Sequence, residues 1–272
     1  MLRLMRFKDG KKKALTLSYD DGVKQDVRLI EIMNKYSLKG TFNINAGYIA
    51  NESAPTGRMP REKIYSLYKD SGHEVAIHGF RHHMMEKLST NHAVFEIIED
   101  RRQLENLFGT IIRGCAYPFG TYNDTIVDVL RLCGIKYART VVSTEKFDVP
   151  TDWLRLPATC HHNNPHLFEL ADKFLNEQNI RAPWLFYLWG HSYEFDNDNN
   201  WDVIERFAEK MGNREDIWYA TNIEIYDYVE AYNSLLTSAD GGLVYNPTVI
   251  DVWMVDNGKE YCIRSGETVT IK

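Results

Sequence analysis

The sequence predicts an α/β fold of parallel strands joined by crossover helices, either an α/β barrel or a doubly wound sheet. Strand and helix patterns alternate over roughly 230 residues, the signature of parallel β structure. With 272 residues, 44% of them hydrophobic and 26% charged, the chain can bury a barrel-sized core. Three strand-like segments also end in acids or histidines, where such folds present functional side chains.

The first strand, LTLSYDDG (15–22), is an apolar run that meets two adjacent carboxylates. VRLIEIMNKYSLKG (27–40) spaces apolar residues as a helix and closes on glycine. GTFNINAGYIA (40–50) reads as a strand, followed by a loop with Pro55 and Pro60, the helix REKIYSLYKDSG (61–72) and the strand HEVAIHG (73–79). NHAVFEIIEDRRQLENLFG (91–109) is the clearest helix, with an Asn91 cap and a stripe of Val94, Ile97, Ile98, Leu104, Leu107 and Phe108. GCAYPFG (114–120) leads into a helix capped by Asn123. KYARTVV and WLRLPAT follow as short strands, HLFELADKFLNEQ as a helix and PWLFYLWGHS (183–192) as a strand. WDVIERFAEKMG and IEIYDYVEAYNSLL complete the helical pattern.

Beyond ADGG (239–242) the composition turns β-branched and aromatic, and a DNG turn separates two alternating runs. This predicts a barrel over residues 1–238 and a β-hairpin appendage packed on it over 239–272, a stretch too short to fold alone.

A formal net charge of −6 without a basic block argues against nucleic acid or an anionic membrane as the main partner. Cys115, Cys133, Cys160 and Cys262 share no CxxC spacing and read as free thiols. MLRLMRFKDGKKKA lacks a signal-peptide core, and no later run of apolar residues is long enough to span a bilayer. The expected location is cytoplasmic, or secreted if a leader was trimmed.

Asp20 and Asp21 close the first strand. His78 closes the third, with His82 four residues on, and His191 follows WLFYLWG. At this spacing both rings can reach one ion, although the spacing alone reads by default as two solvated loop histidines. A carboxylate from a neighbouring strand then completes a two-His, one-Asp set with positions open for water and substrate. His73 opens its strand at the opposite end of a barrel, and His83 is one position off the spacing.

SYDDG, HGFRH, YPFG, DW and the strand-terminal His191, in that order, resemble the five motifs of the polysaccharide deacetylase family, also called NodB-homology or carbohydrate esterase family 4. The first two motifs are specific as a pair, and the later ones are looser. The resemblance spans roughly residues 14–230 and implies a distorted (β/α) barrel of about seven strands. It also implies deacetylation of sugars with a bound divalent transition metal: zinc first, with cobalt, nickel, manganese or iron as alternatives. Carried over, it makes Asp20 the base, Asp21, His78 and His82 the metal ligands and His191 the general acid. The chemistry is self-consistent: the metal polarises an acetamide and acidifies water, Asp20 takes the water's proton, and His191 protonates the departing amine. A backbone N–H near Phe119 would support the oxyanion. Tyr117, Trp189 and Glu194 are further candidates for substrate or oxyanion contacts.

The third motif departs from the family, whose arginine is replaced by Ala116 in GCAYPFG. Arg113, and Arg155 beside Asp152-Trp153, are the candidates to orient Asp20. Glu194 stands three residues past His191, where it orients the imidazole, binds substrate or is a plain loop acid. DNDNN (196–200) lacks the glycine and distal Glu of a calcium loop and reads as a solvated cap of the next helix. CHH (160–162), just after WLRLPAT, could line the mouth of the site or bind a second ion, but it has no partner at recognisable spacing. Tyr48, Phe119, Trp153, Trp189 and Tyr193 lie near strand ends, where sugars stack and cores pack alike.

The expected function is hydrolysis of an N-acetyl group on an amino sugar, oligosaccharide or polysaccharide. Hydrolysis of a small non-sugar amide is a second reading. A carbohydrate-binding relative without catalysis is a third, motivated by the absent arginine. The intact Asp20, Asp21, His78, His82 and His191 argue against the third, since a binding module needs no base beside an open metal site.

Overall fold

The computed structural model describes residues 3–49 and 57–271. After a short strand β1 (Arg3–Arg6), the chain lays down β2 (Lys13–Asp20), β3 (Gly40–Ile44), β4 (Glu74–Ile77), β5 (Gly114–Ala116), β6 (Tyr137–Ser143), β7 (Leu156–Ala158), β8 (Cys160–His161), β9 (Trp184–Gly190) and β10 (Ile217–Tyr219). Helices α1 (Asp26–Lys35), α2 (Arg61–Tyr68), α3 (Thr90–Phe108), α4 (Asp124–Leu132), α5 (Leu167–Asn176), α6 (Glu194–Asn197), α7 (Trp201–Met211) and α8 (Asn222–Asn233) are interspersed.

Strands β2 to β10 form one parallel sheet, ordered β7-β6-β5-β4-β3-β2-β9-β8, with β10 beside the first half of β2. Its two ends meet in one extended segment that changes partner at Thr159. Ala158 pairs with Ser143 of β6, the Thr159 N–H donates to the Tyr187 carbonyl at 2.9 Å, and Cys160 pairs with Leu188 of β9. Counted as one strand, this segment makes a distorted ring of seven with β2–β6 and β9. Every residue of β2 is buried, as expected for a parallel strand covered on both faces. Phe174 of α5 and Phe207 of α7 share a core with Leu15, Leu17 and Phe186. Each such side chain contributes about 1.5–3 kcal/mol of burial. No helix among the described residues is long and apolar enough to cross a membrane.

The structure corrects several local expectations. β3 ends at Ile44, and Ala46–Tyr48 forms a turn of 3₁₀ helix, because Asn45 turns its side chain to the carbonyls of His78 (2.6 Å) and Gly79 (2.7 Å). Pro55 lies outside the described residues. Ser89, not Asn91, caps α3, and the helix buries Ala93, Glu96, Ile97, Asp100, Leu104 and Phe108 while Val94 and Ile98 are exposed. A search for an apolar stripe misses this seam because two acids lie on it. Asn123 caps α4 as expected. Asn200 stands before α7 without a side-chain cap bond.

The hairpin with the DNG turn is present as β13 (Val252–Asp256) and β14 (Lys259–Ile263). Its unit is larger than residues 239–272. β1 pairs along β13, while β11 (Leu236–Thr237), β12 (Leu243–Tyr245) and β15 (Thr268–Thr270) make a second small sheet. A hairpin edge needs a hydrogen-bonding partner, and the chain's own beginning supplies it. All four cysteines are free.

Asp26 ties α1 to α2 and to the loop after β9. Fully buried, it accepts hydrogen bonds from the Val23 N–H (3.1 Å), the Tyr68 hydroxyl (2.6 Å) and the Ser192 hydroxyl (2.5 Å). Burial pushes its pKa up to about 7 despite these donors. The folded state therefore keeps a proton that the unfolded chain releases near pH 4, so this carboxyl's contribution to stability falls as pH rises toward 7. Urea unfolding is expected to show Asp26→Asn gaining on the parent by up to about 1.4 kcal/mol per pH unit in that window. A pH-independent difference would contradict a buried protonated Asp26.

Candidate active site

β2 delivers Asp20 at its last position, and Asp21 follows with a φ of 86°, held by its N–H to the Asn43 carbonyl at 2.8 Å. This left-handed turn, costing an L-residue about 1–2 kcal/mol, gives the consecutive carboxylates different surroundings. Asp20 is 2% exposed and accepts from Asn43 Nδ2 at 2.9 Å and from Arg139 Nη2. Asp21 pairs with Arg58 at 2.7 Å.

Arg139, on β6, is the guanidinium that reaches Asp20. It is 1% exposed and lies 4.4 Å over the Trp189 ring. Its Cα partner on β5 is Ala116. Paired residues on neighbouring strands send side chains to the same face, so Arg139 takes the place an arginine at 116 would fill, and the small Ala116 leaves it room. The expectation that Arg113 or Arg155 would do this is wrong. Arg113 grips Asp227 through two 2.7 Å bonds, while Arg155 binds Asp152 (2.8 Å) and Asp124 (2.7 Å). Asp152 is thereby a surface partner of Arg155, away from Asp20. The available signal was a lone arginine inside the otherwise apolar and small run of KYARTVV.

His78, just past β4, sets its Nδ1 2.8 Å from the Ala116 carbonyl. Only an N–H satisfies that carbonyl, so the His78 Nε2 keeps its lone pair. This nitrogen lies 3.1 Å from His82 Nε2, and the ligand atoms of Asp21, His78 and His82 fall within 4.8 Å of one another. Burial lowers the pKa of both rings, that of His82 to about 4, so both are neutral as coordination requires. The His78 lone pair, the neighbouring His82 nitrogen and the Asp21 carboxylate fit a divalent transition ion with open positions.

Burial opposes ionisation of Asp20, but Arg139, then His78 and His191, outweigh it and hold its pKa at about 2. Asp21 is also lowered: burial opposes, while His78 and Arg58 prevail. His191 follows β9, with Nε2 3.7 Å from Asp20 Oδ2 and Nδ1 3.3 Å from Glu194 Oε1. Burial works against its charge, yet Glu194 and Asp20 together raise its pKa. Glu194 falls far below the usual carboxylate range: burial opposes this, but contacts with His161, His162 and His191 outweigh it.

The remaining candidates divide. Phe119, 54% exposed at a φ of 58°, sets its ring 4.4 Å from that of His82. Tyr117 sets its hydroxyl on the Leu154 carbonyl at 2.8 Å and, like Trp189, lines the same pocket as Asp20 and His191. Trp189 is the floor under Arg139. Trp153 packs on Tyr226. His73 accepts the Gly40 N–H at 3.3 Å at the start of β3, and His83 pairs with Glu96. The CHH run does have a partner, Glu194 on α6. Asn43, Arg58, Arg139 and Asp100, which accepts the N–H groups of Ala46 (2.7 Å) and His78 (3.1 Å), were not anticipated.

Asp20, Asp21, His78, His82, Phe119 and His191 line one pocket of about 280 Å³. A larger cavity of about 590 Å³ lies between α8 and the C-terminal sheet. Its Asp227 and Glu224 are engaged by Arg113 and Lys39, and it reads as a packing seam.

Removing the buried partner of Asp20 should cost far more than removing a half-buried surface arginine. Arg139→Met is expected to lose about 3–5 kcal/mol in denaturant unfolding, because it strands a buried charge. Arg113→Met should lose about 1 kcal/mol or less. Equal losses would show that the Asp20–Arg139 pair is not a keystone.

Residues 7–138 match the family model described as polysaccharide deacetylase. Over 102 residues the chain is 22% identical to the uncharacterized protein YlxY of Bacillus subtilis, a match spanning 38% of this chain and only 29% of that relative. Its fold is similar to a Mycobacterium smegmatis protein assigned to the polysaccharide deacetylases (18% identity, 85% of this chain and 94% of that one, TM-score 0.62). It is also similar to a carbohydrate esterase family 4 pseudoenzyme of Bacillus anthracis (17% identity, 79% and 66%, TM-score 0.50). At these identities the structural likenesses speak for the fold. Residues 7–138, just under half of the chain, thus resemble the polysaccharide deacetylase family in sequence, and the structural likenesses add the fold alone.

Proposed function

We propose that the protein is a metal-dependent deacetylase that hydrolyses the N-acetyl group of an amino sugar in a saccharide. The observation that carries this reading is the division of labour between adjacent carboxylates. Asp21 faces His78 and His82, while Asp20 is held by Arg139 and Asn43. A divalent ion bound by Asp21, His78 and His82, zinc by its donor set, supplies Lewis acidity to the acetyl carbonyl and to a water.

Asp20, ionised at any working pH and fixed at both oxygens, accepts the proton of the attacking water as its oxygen bonds the acetyl carbon. His191, its protonated form favoured by Glu194, gives a proton to the amine nitrogen as the C–N bond breaks. The Phe119 turn is the candidate backbone donor for the oxyanion, and the exposed Phe119 ring offers a stacking face for a sugar. A pocket of about 280 Å³ suits an acetamido group with little more than its own ring, so the rest of a saccharide would lie outside.

A binding protein without turnover is the second reading, motivated by Ala116. Arg139, in the place of the missing arginine, weakens that motive.

Acetate release should be measured from chitooligosaccharides, peptidoglycan fragments, N-acetylglucosamine derivatives and small cyclic amides, with and without chelator. Chelator-sensitive release from a saccharide is expected. Release only from cyclic amides would move the substrate class, and no release from any would favour the binding reading. Asp21→Ala and His82→Ala should each lose stoichiometric metal. Asp20→Asn should keep it while turnover falls about 10²–10⁴-fold. Full metal content in the first two, or full activity in the third, would overturn the roles.

A further inference from the structure

We propose that His161 and His162 are positioning residues that act through Glu194 to fix His191 as the Nδ1–H tautomer, with its Nε2 turned to the reacting centre. The inference rests on the reading of His191 as the acid. His162 follows β8, its N–H donating to the Trp189 carbonyl at 2.9 Å. Its ring is 1% exposed and stacked on Tyr19 (centroids 5.7 Å) and Phe195 (4.2 Å). Gly190 makes room for it: a Cβ there would stand 2.1 Å from His162 Nδ1.

Both His161 Nε2 and His162 Nε2 lie 3.1 Å from Glu194 Oε2. The His191 backbone N–H donates to the same oxygen at 3.1 Å, while Oε1 lies 3.3 Å from His191 Nδ1. The proton positions follow from the surroundings. His161 Nδ1 accepts the Asn163 N–H at 3.1 Å, so the His161 proton sits on Nε2, facing Glu194. His162 is kept neutral by burial, and a lone pair 3.1 Å from a carboxylate oxygen is repulsive, so its proton also sits on Nε2. Oε2 takes the His191 backbone N–H and stands between the two imidazole nitrogens, which leaves Oε1 as the oxygen nearest His191 Nδ1. The second ring nitrogen, 3.7 Å from Asp20, is then the one that exchanges protons in the pocket. Glu194 stands on a four-residue helix, too short to hold a side chain by itself. The same three side chains offer ligand atoms within 4.8 Å, as a metal site would. A cation would require the His161 proton to move to Nδ1, against the Asn163 N–H, whereas the donor arrangement keeps that proton and asks only for small turns of the rings, since His162 Nε2 and His191 Nδ1 do not complete hydrogen bonds at these distances.

The test uses the full metal-loaded chain and imidazole ¹⁵N shifts, which report the His191 tautomer, in the parent, His162→Phe, His161→Leu and His162→Gln. The parent should show the Nδ1–H form at high pH. His162→Phe and His161→Leu should shift toward the Nε2–H form preferred in solution, with kcat falling about tenfold and KM nearly unchanged. His162→Gln, which keeps an N–H, should recover most of both. Unchanged His191 shifts in the first two variants would overturn the inference. So would two bound metal ions in the parent falling to one in His162→Phe. Should His162→Phe fail to fold, His161→Leu at its partly exposed position carries the measurement. If no saccharide is turned over, the functional reading fails, while the ¹⁵N shifts still decide this one.

Discussion

Asp20 and Arg139 form a buried charge pair beside the strand-end pocket, the carboxylate 2% and the guanidinium 1% exposed. Neither charge is tolerable there alone, since desolvating an unpaired ion costs several kcal/mol. The pair therefore dictates what surrounds it. Asn43 fills the other Asp20 oxygen, Trp189 lies under the guanidinium, and Ala116 is small opposite it. Asp20 is thus fixed by Arg139 and Asn43 with its Oδ2 3.7 Å from His78 Nε2, at the border of the Asp21, His78 and His82 cluster, and adjacent residues of one strand end have different partners.

Behind this charged layer stand acids that burial keeps protonated. Asp100 lies far above its usual pKa and receives the N–H groups of Ala46 and His78, anchoring the loop after β3 to the end of β4. Glu74, pushed up to about 7 by burial, receives the Ile223 N–H (2.9 Å) and the Thr41 (2.8 Å) and Tyr137 (2.7 Å) hydroxyls, joining β4 to α8 and β6. Burial raises the pKa of these two carboxyls, whereas Asp20 and Asp21 in the pocket are lowered by the arginines and histidines that face them. On its far side, Glu194 continues the same logic with three imidazoles.

Much of the fold was legible because it follows from local periodicity. β2, β4 and β9 and helices α4, α5 and α7 stand close to their apolar patterns. Where a pattern misled, polar residues were doing buried work. Glu96 and Asp100 lie on the inner seam of α3, so a stripe built only from apolar residues is drawn on the wrong face. Asn45 bends the chain where alternation suggests a longer strand. The C-terminal unit was underestimated because its partner strand comes from the opposite end of the chain.

The candidate site divides in the same way. The order and spacing of Asp20, Asp21, His78, His82 and His191 are properties of the sequence, because each stands where a strand stops and a loop must turn. What the sequence could not assign were contacts between strands. Arg139 replaces the arginine absent at 116 because β5 and β6 lie side by side in a register that pairs the two positions. His161 and His162 meet Glu194 because β8 runs beside β9. Strand ends are local features, readable from composition and periodicity. Neighbours across a parallel sheet are separated by whole helices, and register decides which of their side chains share a face.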